Sequence, residues 1–171
     1  MAEPGPYRLL GFGLAAAILI ADQISKYWII AVLQLPMRGL IEVTSFFNLR
    51  WVENYGVSMG FLVAGSNRDR WLLVAATAAI AIGITIWLWR EKGRPDALAL
   101  ALVLGGAMGN IVDRTRLGYV ADFLGPHIGG WYPFLVFNVA DAAITIGVVI
   151  LVLRALLARE RKAPAENIDA V

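Results

Sequence analysis

Cysteine is missing altogether from this chain of 171 residues, which excludes disulfides, thiol catalysis and cysteine-ligated metals. A single histidine, His127, excludes HExxH zinc chemistry and any multi-histidine metal centre. It also leaves a Ser-His-Asp triad only one base to draw on. That base sits in a Gly/Pro/aromatic loop rather than among groups that would hold it rigid. Charge is scarce too: 16% of the residues are Asp, Glu, Lys or Arg, against about 25% in soluble domains. The formal net charge is +2, and no Lys/Arg-rich run lies beside an aromatic platform, so nothing marks a nucleic-acid partner. What fills the chain instead is apolar, with 59% hydrophobic residues and a mean hydropathy of +0.68. These values describe a membrane protein.

Four apolar runs are long enough to be spans, roughly 9–33, 71–89, 97–113 and 134–157. The first is interrupted by DQISK at 22–26 and resumes as YWIIAVL. Its length suits a retained, tilted span better than a cleavable signal peptide. The second has no internal charge and a tryptophan at each end, Trp71 and Trp89, the pattern of an interfacial aromatic belt. The third is short, and Gly105, Gly106 and Gly109 permit close helix contact. Residues 34–70 read as an insertion outside the membrane. Within it, Ile41, Val43, Phe47, Leu49 and Trp51 alternate with polar residues, the period of one half-buried strand. Residues 1–7 read as a loose terminus and 160–171 as a disordered tail, so 1–171 forms one membrane-embedded domain.

Four spans put both termini on one side. That side holds eight basic residues, concentrated in the short loop around Arg90, Lys92 and Arg94 and in the tail. The other side holds six over a longer stretch. The positive-inside rule places the termini in the cytoplasm. The insertion 34–70 and the segment 114–133 then lie outside.

The polar residues of chemical interest crowd into 105–141. Carboxylates at membrane depth are costly and usually functional. Asp122 lies between Ala121 and Phe123, and Asp141 between Ala140 and Ala142. Neither has a local counter-charge, so both are candidates for an aspartyl dyad in which one carboxylate activates water and the other, protonated, polarises a carbonyl. Asn110 and Asp113 are three apart, as are Asn138 and Asp141. Each pair shares a face if its stretch is helical. Asp113 is followed by Arg114, which points to a charge-assisted hydrogen bond holding the loop. Asp22 and Lys26 are four apart on one helix, an internal ion pair in support of a polar site. Asn54 and Gly56 read equally as a simple turn or as a loop beside the site. Two other classes remain open on the residues alone. One is a small proton-coupled transporter, and the other is a scaffold whose Asp residues only join helices.

Five motifs occur in order: DQISK at 22–26, NYGVSMGF at 54–61, GNIVDR at 109–114, VADF at 120–123 and FNVAD at 137–141. Together they resemble the bacterial lipoprotein signal peptidases, the type II signal peptidases, over roughly 9–157. The resemblance implies an α-helical integral membrane protein of four transmembrane helices with a small extracytoplasmic β-cradle lying on the membrane. It implies an aspartic endopeptidase of the bacterial inner membrane, its active site towards the outer face. The substrates would be diacylglyceryl-modified prolipoproteins, cut just before the lipidated cysteine, and globomycin-type compounds would inhibit. Asp122 and Asp141 would be catalytic. Asp22, Asn54, Gly56, Asn110, Asp113, Arg114, Asn138 and Ala140 would shape or support the site. The family often has Ala-Phe-Gly where this chain has Ser58-Met59-Gly60. No metal or organic cofactor is expected, since dyad and water suffice. Beyond substrate and membrane lipid no partner is implied, and a monomer is the expected unit.

Overall fold

Small residues decide which helix takes the centre. In the computed structural model, which describes residues 5–56 and 67–160, helix α4 (Arg94–Arg116) is the most buried. The other long helices pack on it: α1 (Arg8–Tyr27), α3 (Asn67–Arg90) and α5 (Val139–Glu160). The glycines of α4 make this possible. A Cβ at Gly105 would fall 2.6 Å from the Ala15 carbonyl oxygen, and one at Gly106 would fall 2.4 Å from that of Ala140. Backbones approach this closely only where there is no side chain. Outward, the helices carry exposed Ile80, Ile82, Ile86, Val148, Val149 and Val152, while Asp22, Lys26, Asn110 and Asp113 are buried. Apolar outside and polar inside is the distribution a bilayer demands. All four helices have the length and composition to cross one.

Residues 5–7, read above as part of a loose end, are tied down; residues 1–4 lie outside the described residues. Gly5 N–H donates to the Trp89 carbonyl at 2.8 Å, Tyr7 packs on the core, and Arg8 stacks over the Trp89 ring at 4.8 Å. The start of α1 therefore lies beside the end of α3. Arg154 near the end of α5 pairs with Asp96 near the start of α4. Long helices consecutive in the chain thus run antiparallel, with the start of α1 and the end of α5 at one end of the bundle.

At the other end, α1 continues through a wide π-helical turn, Trp28–Val32, and the short α2 (Leu35–Arg38) into a three-stranded antiparallel sheet. Its order is β1 (Leu40–Thr44), β2 (Phe47–Asn54), β3 (Val120–Pro126). The single alternating strand expected over 41–51 is a hairpin. Its connection, Ser45-Phe46, is two residues long. The two-residue loop pairs Thr44 with Phe47, which alone would swap odd for even, but the register shift between Glu42 and Thr44 restores the parity, so Ile41 and Leu49 still face the same way as cross-strand partners and the period of two conceals the turn. Ile41, Leu49 and Trp51 pack on Ile29, Leu35 and Phe123. The expected loop 114–133 contains β3, whose burial is nearly continuous, a pattern with no alternation to betray it. The apolar stretch at 134–138 is not helix either. Phe137 bridges to Leu124, so β3 lies between β2 and the chain leading into α5. Val57–Phe61, the rest of the NYGVSMGF motif, and the tail 161–171 lie outside the described residues.

Candidate active site

Three structural accidents bring Asp122 and Asp141 to one place. β3 hydrogen-bonds β2, with Asp122 opposite Val52 beside an irregularity in the register. The Phe137–Leu124 bridge lays Asn138 alongside β3. Asn138 then caps α5. Its Oδ1 accepts the Asp141 N–H at 2.9 Å, and Asp141 Oδ2 accepts the Asn138 N–H at 3.3 Å. This reciprocal capping box satisfies donors that a helix start leaves free. Asn138 precedes the first helical residue, Val139, so the condition for a shared helical face is not met here and the Asn-x-x-Asp spacing serves as a cap instead.

Asn138 links the two carboxylates, Asp141 through its backbone N–H and Asp122 through its side chain. Its Nδ2 donates to Asp122 Oδ1 at 2.6 Å and lies 3.4 Å from Asn110 Oδ1. Asn110 Nδ2 donates to Asp141 Oδ1 at 2.8 Å. From the sheet, Asn54 Nδ2 donates to Asp122 Oδ2 at 3.0 Å. Both readings of the 54–56 turn hold. Asn54 Oδ1 accepts the Gly56 N–H at 3.0 Å, with Gly56 at φ +108°, while its amide reaches Asp122. Neutral amides thus surround both carboxylates. Asp122 is 2% exposed. Burial pushes its carboxyl up to about 7; the charge of Asp141 adds to this, and the hydrogen bonds from Asn54 and Asn138 oppose it.

A second polar set lies behind this one. Lys26 Nζ bonds Asp22 Oδ2 at 2.8 Å and Asp113 Oδ2 at 2.7 Å. The expected Asp22–Lys26 pair is present. Asp113, expected to bond Arg114, bonds Lys26 instead, because residue 26 is inside the bundle facing α4 while a sequence neighbour on a helix points elsewhere. Asp113 still holds the following segment, since its Oδ2 accepts the Ala121 N–H at 3.1 Å. Asp22 Oδ1 accepts the Ala140 N–H at 3.0 Å, so Ala140 enters through its backbone. Its side chain also faces a packing limit, because a Cβ on Gly109 would fall 3.3 Å from Ala140 Cβ. Sequence reasoning missed Gln23, whose amide donates to Asp113 Oδ1 at 3.0 Å. Its place in the DQISK motif, beside Asp22, was the available signal. Arg114 is half-buried, and its Nε has no hydrogen-bond partner among the described residues. Its carbonyl accepts from Arg70 Nε at 2.6 Å, which ties the end of α4 to the start of α3.

His127 packs on the Tyr132 ring, with centroids 5.7 Å apart. Among the described residues neither ring nitrogen has a hydrogen-bond partner, so no carboxylate orients it as a base. Beside Asp141 instead lies a cavity of about 420 Å³, lined by Pro126, Phe134, Phe137, Ala142, Thr145 and Ile146. A carboxylate at the wall of an apolar cavity, with a second one buried beside it, can activate water against a group held in the greasy part.

Known proteins are similar to this chain over most of its length. A protein of Rhizorhabdus wittichii named lipoprotein signal peptidase is 73% identical over 165 residues, covering 96% of both chains. One of the same name from Sphingopyxis alaskensis is 49% identical over 161 residues, 94% of this chain and 93% of the other. A bacterial membrane enzyme structure determined by the in meso method at 2.3 Å resolution superposes with a TM-score of 0.78 at 27% identity, covering 98% of this chain and 99% of that one. A second, at 1.9 Å resolution, gives a TM-score of 0.75 at 28% identity, with 91% of this chain and 97% of the other covered. Residues 14–157 match the family model described as Signal peptidase (SPase) II, and the chain, a multi-pass bacterial membrane protein, belongs to the signal peptidase II family.

Proposed function

We propose that this chain is an aspartic endopeptidase that removes the signal peptide from diacylglyceryl-modified prolipoproteins, cutting just before the lipidated cysteine, with Asp122 and Asp141 as the catalytic dyad. The observation that carries the reading is the meeting of these two carboxylates on the Asn138 side chain and backbone, with no cation bonded to either among the described residues. With Asp122 raised towards 7, the pair can hold one proton between them near neutrality. The ionised member takes a proton from water as the water oxygen attacks the scissile carbonyl carbon. The protonated member donates to the carbonyl oxygen. The resulting gem-diol collapses as a proton passes to the amine, the C–N bond breaks, and the dyad returns to its starting charge. Asn110, Asn54 and Asn138 fix the carboxyl planes by donating to them.

The apolar cavity at Asp141 fits a substrate whose signal segment is itself an apolar helix and whose lipid keeps the scissile bond at the membrane surface. The enzyme works in the inner membrane among its lipids as a single chain. Both termini are cytoplasmic, and the sheet and dyad face outward. Globomycin-type inhibitors occupy the same site. A gel-shift assay tests this, using purified protein in detergent with a diacylglyceryl-modified prolipoprotein and an unlipidated control. Only the lipidated form is expected to lose its signal peptide, and only when both Asp are intact. Cleavage surviving Asp122→Asn or Asp141→Asn would overturn the dyad, and a folded parent protein that cleaves nothing would overturn the reading.

A further inference from the structure

The buried charges behind the dyad end their hydrogen bonds on the backbone directly beside it. Asp22 Oδ1 holds the N–H of Ala140, the residue before Asp141. Asp113 Oδ2 holds the N–H of Ala121, the residue before Asp122. Lys26 Nζ holds both of those carboxylates, at 2.8 and 2.7 Å. One ammonium on α1 is therefore two hydrogen bonds from each of the two peptide segments that carry the dyad. All three side chains are buried, with Lys26 3% and Asp22 0% exposed.

We propose that Lys26 is a positioning residue for the dyad: by clamping Asp22 and Asp113 together it fixes how far apart β3 and the first turn of α5 hold Asp122 and Asp141. The proposal rests on the peptidase reading above. The two segments belong to different elements, and the bonds that join them directly are the Asn138 amide and the Phe137–Leu124 bridge. The clamp adds a second brace through α1 and α4, from the opposite side. A buried ion pair is a poor source of stability, because desolvation offsets its attraction, but it fixes geometry wherever its bonds are directional. Here the geometry is the one chemistry needs, and a displacement of about 1 Å at reacting groups costs on the order of 100-fold in rate.

The rival explanation is that Lys26 only neutralises two carboxylates that the fold has buried. Kinetics of three variants against the lipidated prolipoprotein separate the two. Lys26→Met is expected to lower kcat about 100-fold with KM near the parent value, together with a lower Tm. The variant Lys26→Met/Asp22→Asn/Asp113→Asn removes all three charges and leaves carboxamide oxygens able to accept the two backbone N–H groups. It is expected to recover Tm while kcat stays about 10-fold or more below the parent. Lys26→Arg keeps charge and donors on a longer arm and is expected to fold, with kcat reduced and KM unchanged. Parental kcat in the neutral triple variant or in Lys26→Arg would overturn the proposal, as would a loss confined to KM. Asp122→Asn, assayed alongside, keeps the two readings apart. If it is inactive, the dyad stands whatever Lys26 does. If it still cleaves, the dyad falls and the positioning role falls with it.

Discussion

Two pairs of aspartates lie within one end of this bundle, and each pair is bridged by a single residue. Asp22 and Asp113 meet on the ammonium of Lys26. Asp122 and Asp141 meet on Asn138, a neutral amide. Asp22, Asp113 and Asp122 are all buried, so among these the bridge makes the difference. A cation holds both its carboxylates by short, directional, charge-assisted bonds. An amide bonds them without neutralising them, and burial then favours retaining a proton. The cation-centred pair is suited to holding the backbone, the amide-centred pair to moving protons.

The sharpest way to break this contrast is to remove one negative charge from each pair in turn. Asp122→Asn and Asp141→Asn are expected to lower cleavage about 10⁴-fold while Tm is unchanged or higher. Asp22→Asn and Asp113→Asn are expected to lower stability by roughly 1–3 kcal/mol and to retain measurable cleavage. Denaturation and gel-shift rates measured on the same preparations check both halves, and a reversed pattern would exchange the roles of the pairs.

Replacing the neutral bridge comes next. Asn138→Ala removes the donor to Asp122 and the cap of α5 together. The lost cap costs about 1 kcal/mol. The unheld carboxylate is expected to lower kcat on the order of 100-fold, so the kinetic loss should outlast any correction for the folded fraction.

The pH dependence of stability tests the amide-centred pair without touching the site. Asp122 has a folded value of about 7 against a reference of 3.8. Between those values the folded chain holds more proton on this group than the unfolded chain does. Its contribution to stability is then fully present below 3.8 and is lost as pH rises through about 7, with a slope of at most about 1.4 kcal/mol per pH unit. Tm should therefore fall over that window, and Asp122→Asn should flatten the fall. An unchanged profile in the variant would show that the proton resides elsewhere.

Gly109 stands between the two pairs. A Cβ there would lie 2.5 Å from Asp22 Oδ2 and 3.3 Å from Ala140 Cβ, against a carboxylate already fixed by Lys26 and the Ala140 N–H. Gly109→Ala is expected to cost about 1–3 kcal/mol, measured as a lower denaturation midpoint. A neutral result would mean that α1, α4 and α5 can separate locally without loss.

The sequence disclosed much of this, and the exceptions share a cause. Long apolar runs declare spans because a bilayer leaves no other way to satisfy their backbone, and Asp22 with Lys26 was visible as a pair because i,i+4 contacts are local. Asp122 and Asp141 were conspicuous for lacking charged neighbours. What the sequence hid depends on contacts between distant segments. β3 is buried on both faces and shows no alternation. The register shift beside the Ser45-Phe46 turn keeps parity, and the Phe137–Leu124 bridge converts an apolar helix start into extended chain. Asp113 shows the limit plainly: its sequence neighbour is Arg114, but its partner is Lys26, 87 positions away by the numbering. Local spacing identified which residues are polar in an apolar setting, but not which of them meet.

The ion pair at the opposite end supplies the smallest expected effect and so calibrates the others. Arg154 pairs with Asp96 between α5 and α4, with the Arg154 side chain 43% exposed. Water screens it, and two flexible side chains must be held for it to form, so it is worth at most about 1 kcal/mol. Nothing in its bonds leads to β3 or to the start of α5. Arg154→Ala is therefore expected to shift Tm by no more than a few degrees and to leave kcat and KM at parental values. If this substitution lowered kcat as Lys26→Met is expected to, the effect of Lys26 could not be assigned to its bonds beside the dyad, because loosening the α4–α5 contact at either end would suffice. A kinetic response confined to the buried pair would instead tie activity to the particular backbone groups that pair holds.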